Sequence, residues 1–311
     1  MFDPIALFWV LLWTCFAPYG IYLLLTNKTG SSLYVYGKHL NLKKKDGIFW
    51  KFYLLPKRYF MHFYVTATLT FISSFAIIFL YYMPGKLNAE VVKMSHALIH
   101  QIQRYVKIET VDTIDSITSL VFTVILMTLQ TSRRLYECLF ISVYSSHSKI
   151  NVLHYILGHI FYLAAAISTL CPILLSNTST KFTYIALLDN LVTKQRALAF
   201  VMFIYASHHQ HKCNQIFANL RKDKTGRVIT ERHYVPTGGM FEYVSCPHYL
   251  FEVIIYFLIL VAQEFRNIYW NSIFLVVASI QTISAMMEHK WYRNNYKDYP
   301  KERKAIVPGM L

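Results

Sequence analysis

Seven apolar windows divide the chain, at about residues 5–25, 59–82, 117–131 (running on to about 143), 151–175, 198–217, 248–263 and 270–287. A bilayer core of about 30 Å takes roughly 20 apolar residues per helix. The pattern therefore predicts an all-α integral membrane protein with about seven transmembrane helices, six being the next count. The first window lacks a basic lead and a small-residue cleavage site, so it reads as a retained helix and not as a signal peptide. No internal repeat or low-complexity linker interrupts the pattern, and one polytopic membrane domain over 1–311 is expected. The longest non-apolar stretch, 212–247, carries turn chemistry at "DKTGR" (223–227) and "PTGG" (236–239), where Gly supplies positive φ and Pro fixes its own. "VITERHYVP" between them predicts a short strand or an extended loop. Pro300 predicts that the last helix stops at about Tyr299, and the apolar patch at 305–307 predicts a tail folded back on the bundle.

Three polar intrusions break the apolar windows. His248 and Glu252 stand four residues apart and so share a helix face, and an acid inside a span usually faces a bundle interior or a wet cavity. In "TSRRLYECLFISVYS" (131–145) Arg134 and Glu137 have the spacing of a helical ion pair, while Arg133 and Arg134 have the forked donors that suit phosphate. In "SHHQHKCNQIFANLRKD" (207–223) Gln210, Asn214, Phe217 and Arg221 fall on one helical stripe. Amides and an arginine on one stripe suit a nucleotide.

Composition agrees with the apolar windows. Hydrophobic residues make up 55% of the chain and charged residues only 15%, against about a quarter charged in soluble domains. With seven spans, 23 of the 31 Lys and Arg fall in 26–58, 132–150, 212–247 and 288–311. Basic loops stay cytoplasmic, which predicts a lumenal N-terminus and a cytosolic C-terminus. The net charge of +15 is then a property of one face. No helix-turn-helix, zinc-finger or RNA-binding pattern accompanies it, so nucleic acid is not expected; anionic lipid headgroups or an anionic cofactor such as a dinucleotide are. The five cysteines are irregularly spaced and mostly in or near spans, and are expected to pack as small hydrophobes. His96 and His100 form an H-x-x-x-H pair and His208 and His209 a doublet, but the predicted topology puts them on opposite sides, so no metal centre is expected. The Gly-rich phosphate cradles are absent, which leaves side chains from helix ends and loops to bind any dinucleotide.

The strings "PKRYFMHFYV" (56–65), "SRRLYECLFISVYS" (132–145), "HKCNQIFANLRKDKTGRVI" (211–229), "FEYVSCPHYLFE" (241–252) and "HKWYRNNYKDYPKERKAIVP" (289–308) resemble the steroid 5-alpha-reductase family, and more closely its polyprenol reductase branch. The C-terminal part, about 150–311, resembles the family's catalytic region. Two positions depart from the family: His248 stands where Asn is common, and "PGML" replaces an aromatic-rich ending. The resemblance implies an NADPH-dependent enzyme of the endoplasmic reticulum membrane that saturates the alpha-isoprene double bond of a polyprenyl lipid, on the route to dolichol for N-glycosylation. It also implies site residues. His289 is expected to donate to the developing enolate oxygen or to orient the cofactor. Arg134, Gln210, Asn214, Arg221, Tyr243, His248, Glu252, Tyr299 and Arg303 are expected to hold NADPH, and His62 and Tyr64 to contact the substrate head. No obligate protein partner is expected. The alternatives are an integral membrane methyltransferase of the isoprenylcysteine or phospholipid type, and activity on 3-oxo steroids. A lipid-binding or transport protein would place polar residues at the midplane of repeated halves, and neither is visible.

Overall fold

The computed structural model describes residues 3–26, 54–82, 113–174 and 184–311, with isolated positions between 89 and 97. Every predicted window is a helix. Among the described residues the long helices are α1 (Pro4–Thr26), α2 (Phe60–Tyr82), α3 (Ile114–Tyr136), α4 (Val152–Leu174), α6 (Lys194–Asn219), α7 (Pro247–Ala262) and α8 (Ile268–Asn295), and a short α5 (Tyr184–Leu191) precedes α6. Five are long and apolar enough to cross a membrane: those within Pro4–Tyr22, Lys57–Tyr82, Ile114–Ile141, Val152–Leu174 and Ile268–Asn295. Helix α6 is long enough but carries too many polar residues along its second half, and α7 is apolar but only 16 residues long. These are the two helices that bear the polar stripe and the His248–Glu252 pair.

Side chains start the helices where the sequence offers them. Asp3 Oδ1 accepts from the amides of Ile5 and Ala6 at 2.9 and 3.1 Å, Thr113 caps α3 through Ser116 N at 3.2 Å, Thr193 caps α6 through Arg196 N at 3.2 Å, and Asn267 caps α8 through Trp270 N at 3.1 Å. Each satisfies an amide that the helix leaves without a partner. Pro247 opens α7 at the position where a missing N–H costs nothing.

The bundle is built by α6 on α7, α1 on α8, α2 against α3 and α4, and α7 on α8. A fully buried apolar core runs through it, from Trp9, Phe71 and Leu126 to Phe203, Ile259 and Trp270. At the end opposite the loops that join α3 to α4 and α6 to α7, Arg196 is buried to 1% exposure. Its guanidinium reaches Asp115 Oδ1 at 2.6 Å, Thr118 Oγ1 at 3.1 Å, and the carbonyls of Asp115, Asn190 and Ala262.

At the loop end, β1 (Leu54–Pro56) and β2 (Lys149–Asn151) form a two-stranded antiparallel sheet with Leu55 opposite Ile150. Helix α3 ends in a π turn over Glu137–Ile141. The stretch 228–236 is an extended loop, touching a partner strand only at the Lys222–Val228 bridge. Asp223 Oδ1 accepts from Thr225 N and Arg227 N at 2.8 and 3.0 Å and so closes the turn before it, with Gly226 at φ +84°. Helix α8 stops at Asn295, four residues before the expected Tyr299. Tyr299 instead stacks on Tyr292 with ring centroids 5.4 Å apart, a contact that requires the chain to leave the helix and double back. The tail then runs beside residues 243–246: Lys304 pairs with Val244 in parallel, and Ser245 N and Cys246 N donate to Lys304 O and Ala305 O at 2.8 and 3.1 Å. All five cysteines are free thiols, and Cys138, Cys213 and Cys246 are buried. His96 and His100 lie outside the described residues.

Candidate active site

A hollow of about 450 Å³ opens among α2, α4, α6, α7 and α8, with Phe16 of α1 on its wall. Helix α8 faces it with Val277, Ile280, Gln281, Ser284, Glu288 and Tyr292, a stripe of three- and four-residue steps that extends about 22 Å at 1.5 Å rise per residue. Helix α6 contributes Gln210, Asn214 and Phe217, the turn after it contributes Arg221, and α7 contributes His248, Tyr249, Glu252 and Tyr256. Charge collects where α2, α4 and α7 begin and α3, α6 and α8 end: Lys57, Arg134, Arg221, Arg232 and Glu288 line that part. Further along the same helices the lining is Phe16, Phe161, Tyr162, Tyr256, Val277 and Ile280. One continuous space is thus cationic at its loop end and apolar inside the bundle.

A buried polar network forms the wall between α3, α6 and α7. Glu137, with no exposure, accepts from both Arg133 and Arg134, takes Asn214 Nδ2 at 2.8 Å, and lies 2.8 Å from His211 Nδ1. Arg133 also donates to Ser207 Oγ at 2.9 Å, to Gln130 Oε1 at 2.9 Å and to Gln210 Oε1. Both amides, Gln130 and Gln210, then donate to Glu252 Oε2. Partner counting shows which atoms remain for a ligand. Gln210 touches the hollow, but its oxygen takes Arg133 and Gln130, and its nitrogen serves Glu252 and the carbonyl of His248. Asn214 gives one N–H of its amide nitrogen to Glu137, which fixes the nitrogen on that side and leaves its oxygen as the acceptor. Glu252 keeps Oε1, and Arg134, held by Glu137 and by Tyr64 OH at 3.3 Å, keeps Nη2. The hollow therefore offers two acceptors and a guanidinium edge, beside the charges of Arg221 and Lys57.

A family model described as "3-oxo-5-alpha-steroid 4-dehydrogenase" matches residues 159–311. Proteins named "Polyprenal reductase" are similar over more of the chain. The one from Homo sapiens is 34% identical over 263 residues, covering 83% of this chain and 78% of its own length. The one from Mus musculus is 32% identical over 265 residues, covering 83% and 79%. The chain belongs to the steroid 5-alpha-reductase family. The Drosophila melanogaster relative of the same name is 43% identical over 196 residues, 60% of this chain and 56% of that protein. These names favour the reductase over the methyltransferase alternative.

In this reductase, seven of the residues singled out from sequence line the hollow together: Tyr64, Arg134, Gln210, Asn214, Arg221, His248 and Glu252. The other five stand off it. Tyr243 is 62% exposed. Arg303 is buried, donates to Pro236 O at 3.0 Å and lies over the Tyr299 ring. His62 stacks on Tyr59, with its Nδ1 3.0 Å from Tyr155 OH. His289 and Tyr299 reach the hollow through an intermediary. His289 Nδ1 and Tyr299 OH each lie 2.6 Å from Ser245 Oγ, and Ser245 is a lining residue that also donates to Lys304 O at 3.0 Å. Burial pushes the Tyr299 phenol up, against the opposing pull of the Ser245 hydrogen bond and of Arg303.

Arg221 gives three of its five N–H groups to Val143 O, Arg232 O and His233 Nδ1, so it ties the loop after α3 to the loop before α7 while keeping its charge and two N–H groups at the mouth. Gln130, Glu137 and Ser245 were not singled out as site residues from sequence. A signal existed for the first two: Gln130, Arg133, Arg134 and Glu137 fall at i, i+3, i+4 and i+7 on one face of α3. None existed for Ser245, whose partners come from α8 and the tail.

Proposed function

We propose that this chain is an NADPH-dependent reductase of the endoplasmic reticulum membrane that converts polyprenal to the saturated aldehyde, on the route to dolichol for N-glycosylation. The polyprenal reductase names of the relatives support it. The observation in this chain that carries it is the single hollow with a cationic, acceptor-lined end and an apolar end. A dinucleotide needs the first and an isoprenoid tail needs only the second. In this reading the loop end faces the cytosol, as the distribution of Lys and Arg favours.

The donor set fits the cofactor. Arg134, Arg221 and Lys57 bring positive charge to phosphates, and the remaining oxygens of Asn214 and Glu252 suit hydroxyl or amide donors. His248, Tyr299 and Arg303 shape the wall and its support, and Tyr243, exposed and off the hollow, is left without a cofactor contact. NADPH, when bound, supplies the hydride. A hydride adds to a carbon–carbon double bond when a conjugated carbonyl takes up the charge; an aldehyde offers that sink and an allylic alcohol does not. The chain's task is then to bind the aldehyde oxygen and stabilise the enolate that forms there. Tyr64 is placed for the substrate head: its hydroxyl accepts from Arg134 and its ring lies under the same guanidinium at 5.1 Å. His289 acts through Ser245, the hydroxyl that faces the space. His62 supports the start of α2 beside Tyr64.

Purified protein given NADPH and either lipid tests the reading. Polyprenal should be reduced with matching NADPH oxidation, and polyprenol alone should not; efficient reduction of the alcohol without an oxidant would reject the aldehyde. Arg221→Ala should raise the KM for NADPH by about tenfold or more, the worth of one charge-assisted contact, with a smaller change in the KM for polyprenal. An unchanged KM for NADPH would remove Arg221 from the cofactor site.

A further inference from the structure

Glu137 is the fully buried carboxylate of the wall described above, with four side-chain partners, and it does not line the hollow itself. It stands at the start of a π turn, a distortion often found at functional sites because it redirects the residues that follow. Here it is followed by Cys138 and Ser142, both lining residues. Burying a carboxylate without exposure is costly unless the charge is paired and its lone pairs filled. Glu137 meets both conditions with Arg133, Arg134, Asn214 and His211, drawn from α3 and α6. Two of these partners, Arg134 and Asn214, also face the hollow.

We propose that Glu137 is a positioning residue of the reductase site: its carboxylate fixes which atoms of Arg134 and Asn214 a ligand meets. By taking Nη1 of Arg134 it turns the remaining edge of that guanidinium outward. By taking Nδ2 of Asn214 it sets the amide with its oxygen as the free group, so Asn214 reads a donor on the ligand. It also offsets one of two adjacent arginine charges, which lets Arg133 bind Gln130, Gln210 and Ser207 instead of competing for the anion. Without the carboxylate, Asn214 is free to flip and present its nitrogen, and Arg134 is free to swing.

The proposal rests on NADPH being the ligand, and NADPH binding measured by fluorescence, without turnover, tests both. Wild-type protein should bind; no binding would overturn the cofactor reading and this proposal with it. Given wild-type binding, Glu137→Gln should weaken it by at least about tenfold, the value of one charge-assisted hydrogen bond. Arg134→Met should weaken binding by itself, and adding Glu137→Gln to Arg134→Met should weaken it by less than about threefold more, because two residues acting through one contact are not additive. Glu137→Asp keeps the charge on a shorter arm; it should remain folded and bind several-fold more weakly than wild type, which provides the reading if Glu137→Gln does not fold. Equal binding by the folded Gln or Asp variant, or fully additive losses in the double variant, would show that Glu137 only holds helices together.

Discussion

Glu252→Leu should lower NADPH-dependent polyprenal reduction by about 100-fold while the protein stays folded. The carboxylate is 9% exposed, and its Oε2 is the shared acceptor of Gln130 and Gln210. A leucine of similar length fills the space but leaves two buried amide donors without an acceptor, and each such loss costs about 1–3 kcal/mol. Each amide nitrogen would keep only its second acceptor, Gln210 Oε1 for Gln130 and the His248 carbonyl for Gln210. The free Oε1 disappears as well. Since about 1.4 kcal/mol is a factor of ten, two disturbed bonds and one lost acceptor account for the expected fall. The check is a parallel measurement of NADPH affinity, kcat and thermal unfolding. A variant that binds NADPH as wild type does would show that the α7 acid has no part in the cofactor site. Glu252→Gln should do less harm, because one oxygen acceptor is retained.

Arg196→Met should reduce stability by about 3–5 kcal/mol, because it strips the donor from the carbonyls of Asp115, Asn190 and Ala262, and a buried acceptor left without a partner costs about 1–3 kcal/mol. Arg196 binds α3 through Asp115 and Thr118, α5 through Asn190 and α7 through Ala262, and it belongs to α6. One side chain therefore closes the bundle at the end away from the hollow. Methionine keeps much of the buried stem but none of the five donors. The unfolding midpoint in detergent should fall on the order of 10 °C, and the protein that remains folded should bind NADPH as wild type does. A midpoint within two degrees or so of wild type would mean that water or lipid replaces the guanidinium easily, which full burial argues against.

The helices were legible because the bilayer imposes a single length and polarity on each. All seven windows lie on helices, and of the three that carry polar intrusions two, 198–217 and 248–263, fail as plain apolar spans. The face of α6 was legible for a related reason: the three- and four-residue steps from Gln210 through Asn214 to Phe217 keep one side of a helix aimed at one space, and Arg221, expected on the same helical stripe, lines it from the turn beyond Asn219. Long-range pairing was not legible. Nothing local marks Ser245 as the meeting point of His289 and Tyr299, which are separated from it by 44 and 54 residues. For the same reason His289, expected as the enolate donor or cofactor orienter, does not line the hollow itself, and Ser245, its hydrogen-bond partner, does. The end of α8 was misplaced because Pro300 marks only the last possible stop, whereas the stacking of Tyr299 on Tyr292 sets the actual one at Asn295. Arg134 shows a mixed case. Its pairing with Glu137 follows from spacing along one helix, but the contributions of His211 and Asn214 to the same carboxylate require α6 to lie alongside.

The pairing of Val244 with Lys304 has a consequence for biogenesis. During synthesis the segment 243–246 emerges some 60 residues before its partner, and both α7 and α8 must be inserted in between. Until then Ser245 lacks His289, Tyr299 and the Lys304 carbonyl together. The wall of the hollow around Ser245 is therefore completed only once α8 and the tail have been made.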